Sequence, residues 1–500
     1  MGDTSGDASI LAKGAGIALV GRVIGRGVSV VVQAVLARGL GPIAYGLYGL
    51  GWTILRIGVS IATFGLGHGV VRYGSRHTRE GSARLRDVLV QAVGLAVLLG
   101  AIVGAVLYGA ADWLAVVVFA KPDLAPVIRW FAPGLAFASG LHVAASATRI
   151  SKRIQFAAVS QEIFQPLANL ILVLVVIALG WGLAGAVGAA LASFALAMAL
   201  AILFVLRLFW PAFASSEKPR SVARELLTFS GPAALSGVFT TFLILVDRLI
   251  VGHFRPTAEV GVYQAASTAS SFFPVILTGF SAILAPMIAD LHNTGERRRL
   301  HEVYLVGTKW AIYVSLPVFL VVVFYSRELM EVVFGQRYVA GGLVLVILSL
   351  GQLINVSTGS INTVFLMTGH QTRWLLISGV GLAADIALGI LLTAKYGTLG
   401  AALATAVAGG GLWIFALFDG RRVLGLWPYD RRLAKGLAAA GVVSACLVLL
   451  KAAWTGPALT MVIAAAMTAS LAFFGTLIAL GIDAEDRQVL VYVRRRLGMG

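Results

Sequence analysis

About fourteen apolar segments, most of them at least about twenty residues long, run almost end to end through this chain of 500 residues. About twenty apolar residues in a helix span the hydrocarbon core of a bilayer. In lipid every backbone N–H and C=O must find its partner inside the segment, and a helix achieves this. The segments lie at 14–37, 42–70, 88–109, 124–148, 155–179, 183–208, 229–251, 260–288, 302–325, 341–366, 374–394, 398–418, 434–451 and 458–481. Only 12% of residues are charged, roughly half the fraction usual in soluble domains. The expected fold is an all-α membrane protein with no sizeable soluble domain.

Lysine and arginine show how the ladder is threaded. Alternate loops receive 26 and 7 of them, and the other six (Arg22, Arg26, Arg56, Arg129, Arg248 and Lys309) fall inside segments. Basic loops stay in the cytoplasm, so both termini are expected there. The net charge of +17 is then a topology signal, and nucleic acid is not an expected partner. The first segment holds two arginines and no cleavage site, which reads as a retained helix. Cys446 is the single cysteine, so an intramolecular disulfide or a cysteine-clustered metal site is excluded. No Gly-Lys-Ser/Thr phosphate loop occurs, and the outer connections are too short for the domains of a membrane glycosyltransferase or polymerase. A non-enzyme is expected.

An internal repeat organises the ladder. Gly46-Leu47-Tyr48 returns as Gly261-Val262-Tyr263, Gly182 to Ala186 as Gly397 to Ala401, and Gly16 as Gly231, each at an offset of 215 residues. Six segments separate the copies, so both copies share one orientation. Parallel repeats of this kind build transporters whose substrate site lies between the halves. Residues 1–210 and 211–420 are expected as two six-helix lobes around a central cavity, and 421–500 as a terminal helix pair with a basic cytoplasmic tail.

These features together resemble the polysaccharide-export flippases of the multidrug/oligosaccharidyl-lipid/polysaccharide exporter superfamily. The resemblance rests on Ala37 to Pro42 leading to Tyr45-Gly46-Leu47-Tyr48, and on Phe64-Gly65-Leu66-Gly67 before Arg72-Tyr73. It continues in Leu226 to Pro232, Val246 to Gly252, Gly261 to Ala266 and Gly397 to Ala404, covering about residues 10–420. It implies alternating access by two lobes and, as substrate, a polyprenyl-pyrophosphate-linked oligosaccharide moved to the outer leaflet of a bacterial inner membrane. A polysaccharide polymerase and chain-length proteins are the implied protein partners.

Charged residues inside membrane segments mark function by default. Arg22 and Arg26 are four apart and share a helix face, and Arg56 lies near the middle of the second segment. Planar guanidinium forks suit a pyrophosphate; the structural alternative is ion pairing with an acid such as Glu162 or Asp385. Related flippases line the first lobe with cations, and these three positions match that pattern. Gln161 and Gln165, again four apart, suit sugar hydroxyls, with Glu162 beside them at a helix end. Asp247 and Arg248 read as a gate bridge or, for Asp247, a coupling-ion ligand. Asp385 is a candidate proton or sodium seat, or a partner for Lys309 or an arginine. No cofactor is expected beyond a coupling H+ or Na+. Rival readings are a multidrug antiporter of the same fold, a peptidoglycan-precursor flippase, and a non-transporting scaffold of the assembly complex. A cation exporter should present acids centrally, whereas the deep charges of the first two segments are basic.

Overall fold

Two glycines decide where the longest helices turn. The computed structural model describes residues 4–77, 82–214, 217–218 and 220–481, without the side chains of 4–20, 22, 23, 82, 232, 233, 236 and 283. Helix α1 (Thr4–Thr63) is broken at Gly41, where φ is 76° and ψ 170°. This backbone region is open only to a residue without Cβ. Across the break the chain doubles back, and the Tyr45 hydroxyl donates to Gln33 Oε1 at 2.9 Å. Helix α16 (Gln371–Leu424) has the same construction at Gly397, with φ 63° and ψ −140°. Alanine at Gly41 or Gly397 is expected to cost about 1–3 kcal/mol of stability each, read as a lowered apparent melting temperature in detergent. Alanine at Gly27, helical and with nothing near its Cβ position, should leave it unchanged.

Chain contacts divide the molecule into two compact units, Met1–Ser271 with His370–Leu412, and Phe272–Gly369 with Trp413–Gly500. The first holds α1, α2 (Leu66–His77), α3 (Ser82–Gly109), α4 (Leu124–Phe131), α5 (Gly134–Thr148), α6 (Gln155–Ala157), α7 (Gln165–Ala178), α8 (Gly182–Leu208), α9 (Trp210–Phe213), α10 (Ala223–Phe254) and α11 (Thr257–Ser270). The second holds α12 (Phe272–Asn293), α13 (Arg297–Phe334), α14 (Gly342–Ser357) and α15 (Ile361–Met367). After α16, which begins in the first unit and ends in the second, come α17 (Arg432–Ala453) and α18 (Ala458–Ala479).

Twelve described helical stretches are long and apolar enough to cross a membrane, and two of them, Ile24–His77 and Gln371–Leu424, run to 54 residues. At 1.5 Å per residue such a stretch is about 80 Å long, over twice the hydrocarbon thickness. Dividing both at their glycines is what the expected fourteen crossings require. The segment read as 42–70 ends early: Phe64 and Gly65 both have positive φ, and α2 starts afresh at Leu66. Similarly, residues 358–360 interrupt the segment read as 341–366.

In the first unit, α2, α3, α5, α8 and α10 share a core that includes Val70, Val88, Leu89, Val143, Ala147 and Leu226. The start of α10 is fixed to α3: Arg220 N–H donates to Asp87 Oδ2 at 2.8 Å, and Val222 N–H to Gln91 Oε1 at 2.8 Å. Helices α1 and α11 cross where the repeat predicts a counterpart. A Cβ on Gly46 would lie 2.2 Å from the Thr257 carbonyl oxygen, and one on Gly261 2.1 Å from that of Pro42. Pro42 and Thr257 are themselves 215 residues apart, as are the two glycines. The contact is therefore reciprocal, which is the signature of a two-fold axis running through it. Gly182 and Gly397, also matched by the repeat, have φ of 60° and 63°. In the second unit α13 is the hub. Ile312, Tyr313 and Val321 pack against Val443, Leu447, Ala465 and Phe473 of α17 and α18, and the Tyr313 hydroxyl donates to the Arg432 carbonyl at 2.7 Å.

Candidate functional site

The turn at Gly41 sets the depth of the arginines. Arg26 and Arg56 each lie fifteen residues from it, one on each arm of the α1 hairpin. Both therefore sit about 22 Å below the turn. Arg56 lies within electrostatic reach of Arg26 and of Arg248 on α10, and Arg26 within reach of Arg248 and Glu162. Both side chains are exposed, and neither makes a hydrogen bond or ion pair with another described residue. The backbone of Arg22 lies one turn from Arg26 in α1, but its side chain falls outside the described residues.

Arg56 projects into a cavity of about 910 Å³ built by α1, α2, α5, α7, α8 and α10, near the upper end of the range usual for ligand pockets. The charged residues lining it are Arg56, Arg72, Arg149 and Glu162, a net positive wall. Gln161, Glu162 and Gln165 line it together. The first two lie in a π-helical turn, Ala158–Phe164, of the kind that often marks a functional stretch. Gln161 Nε2 lies 3.1 Å from His142 Nδ1, and Gln165 Nε2 donates to Ser193 Oγ at 3.1 Å. Helix α1 approaches this turn closely at Gly25, where a Cβ would lie 1.6 Å from the Glu162 carbonyl oxygen. Arg72, which also lines the cavity, sits over the Phe229 ring at 4.2 Å.

A second polar group of residues lies in the same unit. Asp247 is buried, with one carboxylate oxygen accepting from the Tyr263 hydroxyl at 2.8 Å. Its other oxygen, Oδ1, is buried and has no partner among the described residues. Asp385 is also buried and accepts from the Thr405 hydroxyl at 3.2 Å across the Gly397 hairpin. The two carboxylates act on each other and on Tyr263 electrostatically. Arg248, next in sequence to Asp247, turns away and donates to Ser267 Oγ at 3.0 Å. Lys309, weighed as a partner for Asp385, belongs to the second unit and lies 5.9 Å from the Tyr313 ring centre.

Of the residues singled out by sequence, Arg56, Gln161, Glu162 and Gln165 share the cavity. Asp247 and Asp385 share the buried cluster, and Arg26 and Arg248 lie within charge range of Arg56. Sequence reasoning missed Ser193, Tyr263 and Thr405. Each is joined to its partner only by the folding back of helices, and no local spacing announces it.

Comparison with known proteins gives the chain its relatives. The family model described as "Polysaccharide biosynthesis protein" matches residues 11–292, more than half of the chain, and the model "MatE" matches 232–391. The "Probable low-salt glycan biosynthesis flippase Agl15" of Haloferax volcanii is 24% identical over 189 residues, covering 37% of this chain and 39% of that protein. The "Capsular polysaccharide biosynthesis protein CapF" of Staphylococcus aureus is 20% identical over 185 residues, 37% of this chain and 47% of that protein. The chain thus spans less than half the length of these two relatives. Among solved structures, the lipid II flippase MurJ in an inward closed conformation superposes with a TM-score of 0.71 at 14% identity, over 92% of this chain and 99% of that one. An inward-facing multidrug resistance MATE family transporter of the MOP superfamily gives 0.69 at 17%, over 80% and 94%. These two likenesses establish the fold.

Proposed function

We propose a function from one premise: the chain belongs to the polysaccharide biosynthesis protein family. It flips a polyprenyl-pyrophosphate-linked oligosaccharide from the inner to the outer leaflet, by alternating access, for surface polysaccharide assembly. One observation carries the reading. Arg56 and Arg26 lie level and within range of each other, neither makes a hydrogen bond or ion pair with another described residue, and Arg56 faces a cavity. An arginine near mid-bilayer costs at least about 2.5–3.5 kcal/mol on insertion scales, and two close together repel. An anion between them offsets both terms. A pyrophosphate fits because each guanidinium offers parallel donors to its oxygens. A cation exporter is disfavoured, because Glu162 is the one acid among the described lining residues.

The work requires a driving force. An anion driven outward by an inside-negative potential releases about 2.3 kcal/mol per charge per 100 mV. Asp247 and Asp385 add a seat for a coupling H+ or Na+: two buried carboxylates, one with an unpartnered oxygen, favour a bound cation over mutual repulsion. Asp385→Asn is expected to remove any dependence of transport on Na+ or pH and to slow it at least about tenfold. Flipping rates measured across both gradients check this, and an unchanged dependence would contradict it. The bacterial inner membrane, cytoplasmic termini, and a polymerase with chain-length proteins as partners belong to the same proposal.

The function itself is tested in cells lacking their own flippase. Restored export of lipid-linked oligosaccharide by the wild type, and failure of Arg26→Ala/Arg56→Ala at matched membrane levels, is the expected result. No rescue across several glycan types, with raised drug efflux, would replace the flippase by an antiporter.

A further inference from the structure

The amide of Gln165 takes its orientation from Ser193. Ser193, on α8, is fully buried, and its hydroxyl donates to the Ala190 carbonyl oxygen at 2.7 Å. A serine hydroxyl carries a single proton, so towards Gln165 its oxygen can only accept. The atom of Gln165 at 3.1 Å from it must then be Nε2. Amide nitrogen and oxygen are told apart by the hydrogen-bond network, and with the Ser193 proton on the Ala190 carbonyl the network puts Nε2 towards Ser193. The carbonyl oxygen of Gln165 has no partner among the described residues, and the side chain lines the cavity. Glu162, an acceptor when ionised, lines the same cavity from the preceding π-helical turn.

The cavity thus combines a donor, Arg56, with a fixed acceptor, Gln165. We infer that Gln165, held by Ser193, is the specificity element of this cavity: it requires a hydroxyl or amide N–H on the sugar next to the pyrophosphate and rejects a carboxylated sugar there. This rests on the reading of the cavity as a pyrophosphate–glycan site. A hydroxyl or N-acetyl group on the sugar satisfies the Gln165 oxygen. A carboxylate at the same place sets acceptor against acceptor, and a repulsive element of this kind is how sites exclude near-isosteres. Ser193 is a positioning residue, since it acts through the amide.

The test uses the full-length protein in nanodiscs and three probes: polyprenyl pyrophosphate without sugar, with N-acetylglucosamine, and with glucuronic acid. The wild type is expected to bind the N-acetylglucosamine lipid at least about tenfold more tightly than the glucuronic acid lipid. Ser193→Ala lets the amide turn over. It should bring that ratio to within about threefold while leaving affinity for the sugar-free lipid unchanged. Gln165→Met, which keeps the volume and removes the strong acceptor, should narrow that ratio likewise. Equal wild-type affinity for the two sugars, or an undiminished ratio in Ser193→Ala, overturns the inference. So does a parallel loss of all three affinities in Ser193→Ala, which marks that residue as structural. Failure of the folded wild type to bind even the sugar-free lipid defeats the proposed function, and this inference with it.

Discussion

Replacing Arg56 with alanine is expected to weaken binding of a polyprenyl pyrophosphate roughly 10- to 100-fold, because one charge-assisted hydrogen bond is worth about 1.5–3 kcal/mol. The apparent melting temperature should stay the same or rise. Arg56 has no described partner to lose, and its removal relieves repulsion with Arg26 and Arg248. Arg56→Lys keeps the charge but gives up the planar fork, and an intermediate affinity is expected. Arg26→Ala should behave like Arg56→Ala. The double variant should fall short of the sum of the two, since the groups share one ligand. Calorimetric titration and thermal unfolding on the same preparations check these expectations together. A large fall in stability with unchanged affinity would make the arginines structural.

Alanine at Gly46 or Gly261 is the second large effect. Each new methyl would lie little more than 2 Å from a backbone carbonyl oxygen, and backbone yields only by moving a whole helix. Overpacking of a tight contact costs about 1–3 kcal/mol and sometimes more, enough to shift a conformational equilibrium roughly 5- to 150-fold. On the basic-loop topology this crossing lies towards the outside, so both variants should open that side and slow flipping. Spin labels on α1 and α11 measure the separation directly. Because the contact is reciprocal, the two variants should have similar effects. A narrow, unchanged distance distribution in both would show that the crossing does not hold the closed state.

Much of this arrangement is legible in the chain before any coordinates. The offset of 215 residues fixes which glycines correspond, and Gly46 and Gly261 do meet. Arg26 and Arg56 could also have been levelled by counting fifteen residues either way from Gly41, had the break there been recognised. Periodicity hides such a break, since apolar residues continue through it. The Gln165–Ser193 bond joins residues 28 apart on different helices, and the Asp385–Thr405 bond depends on the turn at Gly397. Neither follows from hydropathy, because small polar residues in a membrane helix bond to their own backbone as readily as to a neighbour. The π-helical turn at Ala158–Phe164 leaves no compositional trace either, although it carries Gln161 and Glu162.

The most direct measurement is movement of a fluorescent polyprenyl-pyrophosphate oligosaccharide across liposomes containing the purified protein, under an imposed potential. Transfer that depends on the protein, accelerates towards the positive side and is lost in Arg26→Ala/Arg56→Ala is the predicted result. No transfer at either sign of potential, from folded protein that moves a cationic dye instead, would contradict it.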